Sequence, residues 1–187
     1  VELCLMARHS LMRKLTVRDH DMRGKRVLVR VDFNVPLKDG CVADDTRIRS
    51  ALPTLEYLLA QPAAAVLCSH LGRPDGERIP EYSLQPVANA LKSLLCGREV
   101  RFASDCVGPV AAQQAADLLP GQVLLLENTR FHPEEQKNDP QFSIQLASLA
   151  DIFVNDAFGS AHRSHASTEG VAQYMPAVVG LLMEKEL

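Results

Sequence analysis

The stretch "KRVLVRVDF", residues 25–33, alternates, with Val27, Val29 and Val31 on one face and Leu28, Arg30 and Asp32 on the other. Alternation among β-branched residues predicts a strand. Asp39-Gly40 predicts a turn. After it, Asp44 and Asp45 offer N-caps to a helix that carries Ile48, Leu52, Leu55 and Leu59 at helical spacing. The pattern then repeats. "AAAVLCS" (63–69), "EVRFAS" (99–104), "QVLLLEN" (122–128) and "DIFVND" (151–156) read as short buried strands. Between them lie helical segments with candidate caps at Ser83, Asp105 and Asp139, the last followed by Pro140 at the first helical position. Apolar strands joined by long crossovers predict one α/β domain, a doubly wound parallel sheet with helices on both faces.

At 187 residues the chain has enough length for one domain with a core, and its 47% hydrophobic and 23% charged content is that of a globular protein. The formal net charge of −3 argues against a broad basic face for nucleic acid. No apolar run approaches the roughly 20 residues that span a bilayer, so no membrane partner is expected. The five cysteines are odd in number and form no C-x-x-C pair, which disfavours a disulfide framework or a zinc site. Cys68 and Cys96 are expected in the core, and a reducing, cytoplasmic compartment follows. Residues 1–11 lack the basic n-region of a secretory signal and read as an extension or an upstream segment, with a natural start at Met12. The far end, "AVVGLLMEKEL", reads as a helix with no stop signal, which suggests that something follows it.

In open parallel sheets, ligands bind beyond the carboxyl ends of the strands. Those positions hold Asp32-Phe33-Asn34, then "SHLGRP" with His70 and Arg73, then "NTRFH" with Arg130, then "DAFGSAHRSHAST" with His162, Arg163 and His165. Arg47 lies near the start of the first helix. Arginines gathered at one mouth repel one another unless an anion neutralises them, and the guanidinium fork fits phosphate and carboxylate oxygens. The residues therefore point to a small, multiply charged anion, with Asp32 and Asn34 adding hydrogen bonds. Structural roles stay open for others: Arg23, Arg26 and Arg98 as solvated charges, His132, His165, Asn128 and Asp156 as caps or supports, and Glu127 with Arg30 as an ion pair. The sequence contains no G-x-x-x-x-G-K-[ST] loop, no G-x-G-x-x-G after a strand, no H-E-x-x-H and no G-x-S-x-G.

Four stretches, "RVDFNVPL", "SHLGRP", "LLENTRFHPEE" and "NDAFGSAHRSHAST", occur in an order and at separations that resemble the phosphoglycerate kinase family, from about Met12 to the end. The resemblance implies the half of a two-domain glycolytic kinase that binds 3-phosphoglycerate. Mg-ATP would be bound by a further C-terminal domain and not by this chain. It divides the chain into an extension (1–11), a substrate domain (12–177) and the start of an interdomain helix (178–187). It further implies that Arg73, Arg130 and Arg163 hold the substrate phosphate with His70 close by. Asp32 and Asn34 would orient the glycerate, with Phe33 between them in the substrate-contacting set. Leu71 and Gly72 would shape the substrate loop, His162 would line the basic patch, and Arg47 would be the catalytic arginine. The implied reaction is reversible transfer between ATP and the substrate carboxylate, giving 1,3-bisphosphoglycerate and ADP. The implied protein is a cytoplasmic monomer, and the chain alone would be inactive. A stand-alone phosphoglycerate-binding module and a subunit that recruits a separate nucleotide domain are the alternatives. In-frame sequence after Leu187 would separate them.

Overall fold

Alternation along Arg26–Arg30 (β1) sorts its side chains into two separate cores, which is what a strand covered on both sides requires. The computed structural model describes residues 15–160 and 163–186. Val27 and Val29 enter one core and Leu28 the other. Ala64–Cys68 (β4), Val123–Leu125 (β6) and Ile152–Asn155 (β7) divide their residues in the same way, with Ala65 and Leu67 opposite Val66 and Cys68. Val100–Phe102 (β5) and Ala177–Val179 (β8) complete a six-stranded sheet in the order β5-β6-β4-β1-β7-β8, with every adjacent pair parallel. A separate hairpin, Leu37–Lys38 (β2) with Cys41–Val42 (β3), turns at Asp39-Gly40, both with positive φ.

The helices Thr46–Ala60 (α1) and Gln85–Leu94 (α2) place Ile48, Leu55, Val87 and Leu91 in the first core. Gly108–Ala116 (α3) and Pro140–Ala147 (α5) place Ala111, Ala115, Phe142 and Leu146 in the second. The sheet is therefore covered on both faces, as the strand pattern predicts. The short Pro133–Gln136 (α4) precedes α5, and Leu181–Glu186 (α6) ends the described chain. Asp139 caps α5 by accepting from the Phe142 amide at 2.9 Å.

Several sequence expectations need correction. Ala177–Val179 is a strand, so the expected boundary after residue 177 falls inside the sheet and the helix begins only at Leu181. At the outer edge Thr16 forms a parallel bridge to Val179, and Val17 is fully buried. Cys96 is exposed, whereas Cys68 and Cys106 are buried. The described cysteines, Cys41, Cys68, Cys96 and Cys106, are free thiols. Among the described residues no helix is long and apolar enough to cross a membrane. The extension 1–11 lies outside the described residues.

Candidate active site

The strands that carry the candidate residues, β6, β4, β1 and β7, are consecutive in the sheet, so their carboxyl ends form one continuous mouth. A set of side-chain bonds between loops holds this mouth in shape. Asn128, fully buried after β6, accepts through Oδ1 from the amides of Leu71 (3.2 Å) and Arg130 (3.1 Å). Its Nδ2 donates to the carbonyls of Leu71 (2.7 Å) and Tyr82 (2.9 Å). Asn128 thus ties the loop after β6 to the loop after β4. Gly72 is clamped on both sides: its amide donates to Asn34 Oδ1 at 2.9 Å and its carbonyl accepts from Arg130 Nη1 at 2.8 Å. Its φ of +62° and the Tyr82 ring, 2.4 Å from where a Cβ would sit, leave no residue but glycine at ease there.

Arg130 is only 4% exposed, and its Nε has no hydrogen-bond partner. Burial, then Arg163 and Arg30, with Arg73 further down, depress its proton affinity. Arg73 and Arg163 are exposed. His70 is buried, and burial together with Arg30, Arg130, Arg163 and His165 pushes its pKa down to about 2. The imidazole is neutral throughout the physiological range. The mouth therefore concentrates positive charge and carries at least one buried donor without an acceptor, the arrangement an anion completes.

At the other side, Arg47 in the first turn of α1 forms an ion pair from Nη1 to Asp32 Oδ2. A Cβ on Gly159 would lie 2.9 Å from that same oxygen, so the small residue after β7 lets the backbone reach the pair. Asp32, Arg47, Asp156, Phe158, Gly159 and Leu182 line a cavity of about 230 Å³. It adjoins the Arg47 end of the mouth.

The sequence candidates thus divide. Asp32, Asn34, Arg47, His70, Gly72, Arg73 and Arg130 stand on the carboxyl-end loops or beside them, and Arg163 faces His70 and Arg130 electrostatically. Phe33 is fully buried in the first core, its amide donating to Ser69 Oγ at 2.9 Å, so its ring is a packing group. Leu71 is likewise a core side chain. His162 lies outside the described residues.

Arg30 and Glu127 do not pair. Glu127 accepts from Ser83 Oγ, the Leu84 amide and the Asn128 amide, each at 2.8 Å, and thereby supports the start of α2. Arg30 instead bonds His70 and Ser167, a role in the site that the alternation of β1 hints at only by placing a charge between apolar neighbours. Asp156 does cap, but at a distance: its Oδ1 accepts from the amides of Leu182 (2.9 Å) and Met183 (3.3 Å) at the start of α6. His132 is structural, with Nε2 2.7 Å from Asp105 Oδ1 and its ring against Phe142. Asp105, Cys106 and His132 are close enough to share a metal ion, but the carboxylate is already bonded to Arg78, His132 and the Cys106 amide.

The family model described as phosphoglycerate kinase matches residues 17–187. The chain is 64% identical over 176 residues to the phosphoglycerate kinase of Moorella thermoacetica, covering 94% of this chain and 44% of that protein. It is 61% identical over 178 residues to that of Chloroflexus aurantiacus, with the same coverage of each. The phosphoglycerate kinase structure from Pyrococcus horikoshii superposes with a TM-score of 0.83 at 36% identity, covering 92% of this chain and 44% of that one. The Coxiella burnetii structure gives 0.81 at 38% identity, covering 92% and 43%. The chain spans less than half the length of these relatives.

Proposed function

Because the chain belongs to the phosphoglycerate kinase family, we propose that it is the unit that binds 3-phosphoglycerate, or 1,3-bisphosphoglycerate in the reverse direction. The observation that carries this reading is the buried, unpartnered Nε of Arg130 inside a group of like charges. A phosphate there accepts that hydrogen and offsets the repulsion. Arg73 and Arg163, both exposed, close on the same phosphate, with His70 lining its flank.

The substrate's carboxylate end then faces Arg47. Asp32 acts chiefly by holding that arginine, and Asn34 chiefly by holding Gly72, while each keeps an oxygen or amide group for the glycerate. Phe33 and Leu71 contribute through the backbone they anchor. In the transfer, a carboxylate oxygen bonds to the γ-phosphorus of ATP, and the bond to the bridging oxygen breaks with its electron pair leaving on ADP. An ionised carboxylate needs no general base, so positioning and charge stabilisation supply the catalysis. Mg-ATP is the second substrate. Near the mouth, Asp32 is neutralised by Arg47 and Asp156 caps α6, so we assign the magnesium nucleotide to the part of the protein that its relatives have beyond this chain. The protein acts in this reading as a cytoplasmic, monomeric enzyme of glycolysis.

The test is calorimetric titration of the chain with 3-phosphoglycerate at low ionic strength. Saturable heat that weakens as salt rises supports the reading. No heat, together with no competition by inorganic phosphate, overturns it.

A further inference from the structure

Arg30 sits at the last position of β1, on the face of the sheet that also carries Leu28, and it is fully buried. Among the described residues no carboxylate oxygen pairs with it directly. Its donors go elsewhere: Nη1 to the Val31 carbonyl, Nε to Ser167 Oγ at 2.9 Å, and Nη2 to His70 Nδ1 at 2.9 Å. We propose that Arg30 is a positioning residue that fixes His70 as a hydrogen-bond donor through Nε2. The ligand side of this inference rests on the anion-binding reading above; the tautomer itself does not.

The chemistry leaves one assignment. A guanidinium has only donors and does not deprotonate in proteins. The ring nitrogen that meets it must therefore offer a lone pair, so Nδ1 is the acceptor. A neutral imidazole with an unprotonated Nδ1 carries its proton on Nε2. Protonating Nδ1 as well would set two donors against each other. Arg30, Arg130, Arg163 and His165 all face the ring and disfavour the cation further. His70 consequently presents Nε2–H, the polarity that a phosphate oxygen requires. The opposite tautomer would turn a lone pair toward the ligand and repel it.

The same logic orients Ser167. Its oxygen accepts from Arg30 Nε, so its hydroxyl hydrogen is left for Glu135, whose Oε1 lies 2.5 Å away. The Ser167 amide donates to Glu135 Oε2 at 3.0 Å. A buried chain results, with Glu135 accepting from Ser167, Ser167 from Arg30, and His70 likewise from Arg30. Glu135 is the counter-charge, reached through one hydroxyl. His165 Nδ1 lies 4.0 Å from the same carboxylate, outside hydrogen-bonding distance.

The deciding measurement is a long-range proton–nitrogen spectrum of the ¹⁵N-labelled, ligand-free chain from pH 5 to 8. The expected His70 signals show an unprotonated Nδ1, a protonated Nε2 and no titration. A protonated Nδ1, or an imidazolium at pH 6, overturns the proposal. Arg30→Met is expected to remove the donor that holds Nδ1 unprotonated, so the neutral ring should show both tautomers; an unchanged tautomer in folded Arg30→Met would overturn the positioning role. Ser167→Ala is expected to leave the tautomer unchanged, because it severs only the link to Glu135. The wild-type spectrum decides the matter even if Arg30→Met does not fold. With 3-phosphoglycerate as probe, His70→Asn, whose amide falls near the Nδ1 position, is expected to bind about tenfold more weakly than His70→Gln, whose amide falls near Nε2. Equal affinities would refute the donor role. A correct tautomer in a chain that binds no 3-phosphoglycerate would sink the anion-site reading and leave the Arg30 assignment standing.

Discussion

Arg47 and Asp32 are joined across the mouth: the guanidinium at the start of α1 donates to the carboxylate at the end of β1, with Arg47 half exposed and Asp32 14% exposed. The pair aims a cation over the cavity without burying it. In the reading proposed above, Arg47 meets charge that shifts during transfer, and an interaction stronger in the transition state lowers the barrier. In the complete enzyme Arg47→Ala is expected to cut turnover by roughly 10³-fold or more, the order seen for arginines in other phosphoryl transfers. Substrate affinity should change little, and Arg47→Lys should rescue little. Steady-state kinetics beside equilibrium binding on the same variants checks this, and a loss confined to affinity would make Arg47 an ordinary binding group.

Arg73 and Arg130 should separate by their effect on folding. Arg73 is exposed, so Arg73→Ala is expected to leave stability within about 0.5 kcal/mol while weakening 3-phosphoglycerate binding by about 1.5–3 kcal/mol. Arg130→Ala also removes the bond to the Gly72 carbonyl, so it should lower both stability and affinity. Thermal melts paired with calorimetry on the two variants provide the comparison.

Gly72→Ala places a Cβ into the Tyr82 ring at a positive φ. The expected cost is about 2–4 kcal/mol, from the left-handed backbone and the forced displacement of the ring. Gly72→Ala combined with Tyr82→Ala should recover the ring's share but not the backbone's. Urea midpoints of the single and double variants measure the split.

Stability should fall in acid partly through His70. Its pKa is about 2 when folded against 6.5 for the free group, so below pH 6.5 the unfolded chain takes up a proton that the folded chain refuses. The contribution is complete above pH 6.5 and is lost as pH falls toward 2, at up to about 1.4 kcal/mol per unit. His165 is shifted in the same direction, chiefly by burial. Asp156 is raised by burial and acts in the opposite sense, favouring the fold as pH falls through its window. Unfolding free energies at pH 7 and pH 5 for wild type and His70→Gln should show a shallower loss in the variant; equal slopes would remove His70 from the account.

Asp156→Ala should loosen α6. It strips the Leu182 and Met183 amides of their acceptor, at a cost of about 2 kcal/mol. Hydrogen exchange at those two amides should accelerate before the sheet amides do.

What the chain determines locally is legible in its order of residues. Two-residue alternation in β1, the run of small and branched residues in β4, and the Asp139-Pro140 start of α5 are consequences of backbone geometry within a few residues. They suffice for a doubly wound sheet and for the gathering of Arg73, Arg130 and Arg163 at its carboxyl edge. Ala177–Val179 escaped because three residues at the outer end of the sheet run directly into a helix and owe their extended form to β7, not to their own pattern. The distant partners of Arg30, Asn128, Glu127 and Asp156 were decided by tertiary structure alone. His70 lies 40 residues from Arg30, Leu71 lies 57 from Asn128, and Leu182 lies 26 from Asp156. A side-chain hydrogen bond forms only where strand order and crossover length bring donor and acceptor within about 3 Å. That coincidence is set by packing the whole sheet, so it leaves no periodic trace in the sequence.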